Sequence, residues 1–168
     1  GARALNTIVP QAIARLGDEG KFEIKHQCGE RHLRDCQQSY QDSAVKADVT
    51  AFIDDMTAAY AWADVVICRA GALTIAELAA AGVGSLLIPY PYAVDDHQTH
   101  NASILVTAGA AHLLPEKSLT AETLMQEIHP LMTNRKILLK MANAARGQAK
   151  LGTAKVVAGV CLEEVANA

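Results

Sequence analysis

The sequence predicts an α/β fold, a Rossmann-like parallel sheet with helices on both faces, and three observations carry that prediction. The runs at 64–68 and 85–88 are almost continuously apolar, as expected of parallel strands buried on both sides. Stretches of strand character alternate with stretches of helical period, the order that builds right-handed βαβ crossovers. Between the two apolar runs, Val65-Val66-Ile67-Cys68-Arg69-Ala70-Gly71 turns at a glycine into Ala72-Leu73-Thr74-Ile75-Ala76-Glu77, a strand–turn–helix passage.

The elements follow in order. Leu5, Ile8, Val9, Ala12, Ile13 and Leu16 recur at helical spacing and Gly17 stops them, while Pro10 predicts a kink or a late start. Phe22 to His26 alternates as a strand. A polar helix is expected over 30–41, a short strand near 47–52 and a short helix from Met56 to Trp62. The apolar strand 64–68 leads to a helix over 73–81, with Gly82 at the position after its end. The strand at 85–88 is closed by Pro89 and Pro91. A helix over 97–108, a strand at 110–114 and helices near 120–132, 134–149 and 153–166 complete the chain.

A length of 168 residues suits a single domain over 1–168 with a full core. With 51% apolar and 20% charged residues, the composition is that of a folded protein. A net charge of −3 without any Lys/Arg block argues against nucleic acid as a partner. No apolar run approaches the roughly 20 residues that span a bilayer, and no signal-peptide pattern opens the sequence. Cys28, Cys36, Cys68 and Cys161 are scattered without a C-x-x-C pair and read as reduced thiols, Cys68 as a small core residue. Gly1 to Asn6 reads as the inside of a loop leading to a helix, so a fragment or an excised domain is expected.

In parallel sheets ligands gather outside the carboxyl ends of the strands, which singles out the loops at 27–30, 52–56, 69–74 and 89–98. The Gly71 turn allows positive φ and a close backbone approach, and the helix behind it offers unpaired N–H groups suited to a phosphate. Glu77 stands one to two turns into that helix, where a carboxylate accepts hydrogen bonds from ribose hydroxyls. Thr74 and Glu77 equally match a capping box, Thr capping the helix and Glu bonding back to it. The loop Pro89-Tyr90-Pro91-Tyr92-Ala93-Val94-Asp95-Asp96-His97-Gln98-Thr99-His100-Asn101 crowds amide, imidazole and carboxylate groups suited to sugar hydroxyls. Its competing reading is ordinary capping by Asp95 or Asp96. Phe52-Ile53-Asp54-Asp55-Met56 offers backbone groups to the edge of a base, or simply an Asp cap on the next helix. His97 and His100 share a helix face with Asp96, but three or four converging ligands are needed for a metal and no such set is evident.

Taken together these loops resemble the MurG family, bacterial glycosyltransferases that add N-acetylglucosamine to undecaprenyl-linked muramyl-pentapeptide to make lipid II. The resemblance rests on Phe-Ile-Asp-Asp-Met at 52–56, Ala-Tyr-Ala-Trp-Ala-Asp-Val-Val at 59–66, Cys-Arg-Ala-Gly-Ala-Leu-Thr at 68–74 and Asp-His-Gln-Thr-His-Asn-Ala at 96–102. It extends over nearly the whole chain, and Gly1 to Asn6 is similar to the end of the family's Gly-Gly-Ser-x-Gly-Ala-Arg loop. It implies the C-terminal, donor-binding half of a GT-B glycosyltransferase without its first strand, which would lie centrally in the sheet and leave edges unpaired. It also implies that the Ile53 backbone meets uracil and that the helix start, Ala72, Leu73 and Thr74 with Ile75 and Ala76 behind them, meets the diphosphate. Glu77 then holds the ribose, and Gln98 with His97 the sugar; the family often has Gln where His97 stands.

The implied donor is UDP-N-acetylglucosamine, with no cofactor and no metal. The implied acceptor, undecaprenyl-diphospho-muramyl-pentapeptide, is bound by an N-terminal domain at the cytoplasmic face of the bacterial inner membrane. The chain alone, itself soluble, is then expected to bind donor weakly or not at all and to be inactive. Two other readings stand beside this one. A stand-alone nucleotide-sugar-binding subunit needing a membrane-anchored partner resembles the soluble subunit of the enzyme that builds dolichol-linked chitobiose. A dehydrogenase Rossmann domain wants G-x-G-x-x-G, which the isolated Gly71 does not supply.

Overall fold

The apolar stripe near the start folds as helix α1, Arg3–Leu16, in a computed structural model that describes residues 2–17, 22–152 and 158. The helix neither starts late nor stops at Pro10, which lies buried within it. An interior proline costs about 3 kcal/mol, and burial of Leu5, Val9, Ala12, Ile13 and Leu16 on the same helix outweighs it. Strand β1 is Lys25–Gln27, later than the alternation at 22–26 suggests, because pairing with β2, Asp48–Thr50, sets its limits. Between them a 3₁₀ turn, Glu30–His32, leads into α2, Leu33–Asp42.

Helix α3, Met56–Trp62, is followed by β3, Val65–Cys68, α4, Ala72–Ala81, and β4, Gly84–Leu87. Gly82 closes α4 in the left-handed conformation expected of it, at φ 70°. A 3₁₀ turn at Val94–Asp96 precedes α5, His97–Thr107, and a second at Glu116–Ser118 follows β5, Ala111–Leu113. Helices α6, Ala121–Thr133, and α7, Arg135–Gly147, complete the described elements. The helix expected over 153–166 lies, but for residue 158, outside the described residues.

All strand pairs are parallel, but they form two sheets, β1–β2 and β3–β4–β5. Helices cover both faces of the second sheet. On one face α1 and α6 bury Leu86 and Ile88 in a core that also takes in Val65 and Ile67. On the other, α4 and α5 pack over Leu87 and Ala111, with Val66 and Cys68 against them. A smaller core of Cys28, Cys36 and Tyr40 lies under α2. Fully burying a side chain of Leu or Ile size contributes about 1.5–3 kcal/mol, so the wholly buried Leu78, Leu86, Leu87, Ile88, Leu105, Leu124 and Leu131 dominate the packing energy.

Two close fits tie these layers together. A Cβ on Gly84 would meet the Met141 Cβ at 2.9 Å, so α7 rests on β4 where β4 has no side chain. A polar relay joins α1, β1 and α2: Asn6 Nδ2 donates to the Cys28 carbonyl (3.2 Å), His26 Nε2 meets Asn6 Oδ1 (3.1 Å) and His26 Nδ1 meets the Tyr40 hydroxyl (2.9 Å). Because the Asn6 amide nitrogen is committed to Cys28, its oxygen must accept. The His26 proton therefore sits on Nε2, and Tyr40 donates to Nδ1. Burial lowers the His26 pKa below its ordinary 6.5 and raises that of the Tyr40 phenol, which keeps both groups neutral.

Gly84→Ala is expected to destabilise the chain by about 1–3 kcal/mol, because a Cβ set close to the backbone has no rotamer to escape through; urea unfolding with an unchanged midpoint would refute the fit. His26 sets a pH dependence. Below pH 6.5 the unfolded chain protonates His26 while the folded chain does so only at its lowered pKa, so stability falls with acid across that window. Above it His26 contributes no slope. Urea titrations at several pH values should show a shallower acid limb for His26→Gln than for the wild type, and identical limbs would count against the relay.

Candidate functional site

The loops after β1, β2, β3 and β4 carry the residues singled out in the sequence, and hydrogen bonds tie neighbouring loops together. The N–H of Ile53 donates to Gln27 Oε1 at 2.8 Å, joining the loops after β2 and β1. Asp55 caps α3, its Oδ1 accepting from the Ala58 N–H at 2.8 Å, so the capping reading of this loop holds while the backbone of Ile53 stands ahead of the cap. The side chain of Phe52 is 63% exposed beside it.

Helix α4 begins at Ala72 with Gly71 as its N-cap and no side-chain cap. Thr74 therefore lies inside the first turn, and the Thr74–Glu77 capping box does not form. Gly71 takes φ −63°, an ordinary extended conformation, rather than the positive φ the sequence allowed. A Cβ there would meet only Thr74 Oγ1, at an unstrained 3.6 Å. The first intrahelical bond runs from the Ile75 N–H to the Gly71 carbonyl (3.0 Å), leaving the N–H groups of Ala72, Leu73 and Thr74 without helical acceptors. Ile75 directs its side chain into the core, whereas Ala76 is exposed.

Glu77, half-buried, accepts a hydrogen bond from the Tyr60 hydroxyl of α3 at 3.0 Å. Burial and the neighbouring carboxylate raise the Tyr60 pKa, so the phenol stays a donor. Burial likewise pushes the Cys68 thiol up to about 12, which keeps it an inert packing group of β3.

On the fourth loop Gln98 Oε1 accepts from the N–H of Tyr90 (2.9 Å) and of Ala70 (3.3 Å), and Asn101 Nδ2 donates to the Ala70 carbonyl (3.1 Å). Asp96 occupies the N-cap position of α5 in a left-handed conformation without capping the backbone through its side chain, which instead accepts from Thr99 Oγ1 at 2.7 Å. His97 is exposed at the first position of α5. Among the described residues no three His, Cys, Asp or Glu side chains converge as a metal site.

Sequence reasoning did not assign roles to four residues that shape these loops. Gln27 holds Ile53, Tyr60 holds Glu77, Asn101 holds Ala70, and Arg69 braces the loops after β3, β4 and β5. The Arg69 guanidinium donates to the carbonyls of Ile88 and Pro89 (3.1 Å each), pairs with Glu116 and lies 5.5 Å from the Tyr90 ring centroid. Gln27 and Asn101 fell within stretches already marked as ligand loops. Tyr60 lies on the far side of β3 in sequence, with no local pattern linking it to Glu77.

Ile53, Thr74 and Glu77 line one cavity of about 1300 Å³, whereas Gln98 and His97 lie outside it along the neighbouring loop. The arrangement joins three unpaired N–H groups, a hydroxyl-supported carboxylate and a backbone edge, a donor and acceptor set suited to a nucleoside diphosphate.

Comparison with known proteins identifies the family and the fold. The glycosyltransferase family 28 C-terminal domain matches residues 1–157. The UDP-N-acetylglucosamine–N-acetylmuramyl-(pentapeptide) pyrophosphoryl-undecaprenol N-acetylglucosamine transferase of Nitrosococcus oceani is 53% identical over 97% of this chain and 45% of its own length. The enzyme of the same name from Marinobacter nauticus is 48% identical over the same shares. A crystal structure of Acinetobacter baumannii MurG superposes with a TM-score of 0.87 at 40% identity, covering 97% of this chain and 49% of that one. The glycosyltransferase of kitacinnamycin, 18% identical at a TM-score of 0.63, shares the fold. The chain spans about half the length of the curated relatives it matches. With fold, motifs and relatives in agreement, this chain belongs to the glycosyltransferase family 28 C-terminal domains, the C-terminal half of a GT-B glycosyltransferase of the MurG kind.

Proposed function

We propose that this chain is the donor-binding half of an inverting transferase that moves N-acetylglucosamine from UDP-N-acetylglucosamine to undecaprenyl-diphospho-muramyl-pentapeptide, converting lipid I to lipid II. The observation that carries the reading is Glu77, positioned by Tyr60 one turn beyond the three open N–H groups of α4. In this reading Ala72, Leu73 and Thr74 receive the diphosphate, Glu77 the ribose hydroxyls, and Ile53 the uracil edge. Gln98, with His97 beside it, takes the sugar. Gln27 Oε1 occupies the Ile53 N–H until the base arrives, so a uracil carbonyl replaces an amide oxygen of like strength and no donor is left unpaired. Tyr60 remains on Glu77, and the ribose adds to its partners.

Charge-assisted hydrogen bonds of the ribose to a sheltered carboxylate contribute about 1.5–3 kcal/mol, and a helix end facing the diphosphate adds about 0.3–1 kcal/mol. As the anomeric bond breaks, negative charge builds on the departing UDP. The α4 donors then bind the transition state more strongly than the ground state, which turns binding into rate. The acceptor, the base that deprotonates its 4-hydroxyl and the membrane contact belong to the remaining half of the enzyme, at the cytoplasmic face of the membrane. Among the described residues no helix is long and apolar enough to cross a membrane. The reading calls for no cofactor besides the donor, and it makes this chain inactive alone.

Ligand-observed NMR with UDP-N-acetylglucosamine should show weak, saturable binding that Glu77→Ala reduces on the order of tenfold or more. UDP-glucose serves as the control for the sugar. Undiminished binding by the variant would remove Glu77 from the ribose. Gly71→Ala should leave the circular dichroism unchanged and still weaken binding, since nothing within the protein opposes a Cβ there. Wild-type affinity in that variant would place the diphosphate elsewhere.

A further inference from the structure

A carboxylate distinguishes one sugar from another only if its oxygens keep a fixed direction. Glutamate turns about several side-chain bonds, and Glu77 is half-buried beside a cavity of about 1300 Å³, with room to move. Among the described residues its side chain makes one hydrogen bond, Oε2 accepting from the Tyr60 hydroxyl at 3.0 Å. Oε1 carries no such bond. Burial and the adjacent carboxylate raise the Tyr60 pKa, so the phenol keeps its proton and the bond keeps one polarity.

Tyr60 is itself anchored twice. No residue of α3 is fully buried, yet the Tyr60 side chain packs against the core formed by α4 and α5. Packing thus fixes the ring, while the hydroxyl at its tip is spent on Glu77. At the other end of α3, Asp55 caps the helix through the Ala58 N–H at 2.8 Å, and Ile53 stands just ahead of that cap. Ile53, Tyr60 and Glu77 all line the same cavity. One short helix therefore joins the loop of Ile53 to the carboxylate on α4.

We propose that Tyr60 is a positioning residue that makes the site select a ribose over a sugar without hydroxyls. It holds Oε2 of Glu77 and leaves Oε1 turned to the ligand. This selectivity rests on the donor reading, which places the ribose on Glu77 and the uracil on Ile53. Without the Tyr60 hydroxyl the carboxylate is free to turn toward water, and a ribose must order it again on binding. The same bond registers the two contacts. Base and ribose are joined covalently at a fixed spacing, and α3 ties the loop that meets one to the side chain that meets the other.

The test measures affinities for UDP and for 2′,3′-dideoxyuridine diphosphate by ligand-observed NMR. The proteins are the wild-type chain, Tyr60→Phe, Glu77→Ala and the double variant, each checked for fold by circular dichroism. The wild type should favour UDP at least about tenfold. Tyr60→Phe should reduce that preference about three- to tenfold while its affinity for the dideoxy ligand stays unchanged, because the ring still packs. Adding Tyr60→Phe to Glu77→Ala should change neither affinity, as expected of a residue that acts through Glu77. An undiminished preference in Tyr60→Phe, an equal loss for both ligands, or a further loss in the double variant would overturn the positioning role and leave the donor reading standing. A wild type that binds both ligands equally, or neither, would overturn the donor reading and this role with it.

Discussion

Every residue of β4 is buried, and the two larger cores rest on its opposite faces. Leu86 and the adjoining Ile88 belong to the α1–α6 side, Leu87 to the α4–α5 side, and Gly84 lets α7 approach directly. Its neighbours β3 and β5 both run parallel to it, joined through helical crossovers that supply the covering layers. Parallel direction gathers the carboxyl ends of these strands on one side. There the loops carrying Arg69, Gly71, Pro89 and Gln98 come within hydrogen-bonding reach of one another. The site is thus a consequence of how β4 is buried, and the loops inherit their order from the core beneath them.

The donor and acceptor groups of the candidate site are partly paired already. Gln27 satisfies the Ile53 N–H, Tyr60 supports Glu77, and Gln98 Oε1 takes two backbone N–H groups. Such pairing keeps polar groups from being stranded and holds them in fixed directions, so a ligand meets them with little ordering left to do. The N–H groups at the start of α4 differ, because a helix end cannot satisfy them from within.

Much of this was legible in the residues. Helix α3 and the αL glycine after α4 came directly from local pattern, because apolar period and a terminating glycine act within a few residues of each other. The limits of β1 and β2 did not, since strand ends are set by a partner distant in sequence. Of the two expectations for Pro10, the late start fails because a buried helix face carries the helix from Arg3 through the proline. At the site, Glu77 and the helix start could be read from spacing, while Thr74 as a cap could not survive a helix that begins at Ala72. The partners Tyr60 and Arg69 were invisible as partners because their contacts cross between elements. The division of the strands into two sheets agrees with the expectation of unpaired central edges drawn from the family resemblance.

Arg69 has a mechanical meaning as well. One guanidinium holds two carbonyls after β4, a carboxylate after β5 and the face of Tyr90, from a backbone position at the end of β3. Its planar fork of donors makes these attachments together, which a lysine ammonium cannot imitate. The three loops therefore move as one body, and displacing any of them carries the other two along.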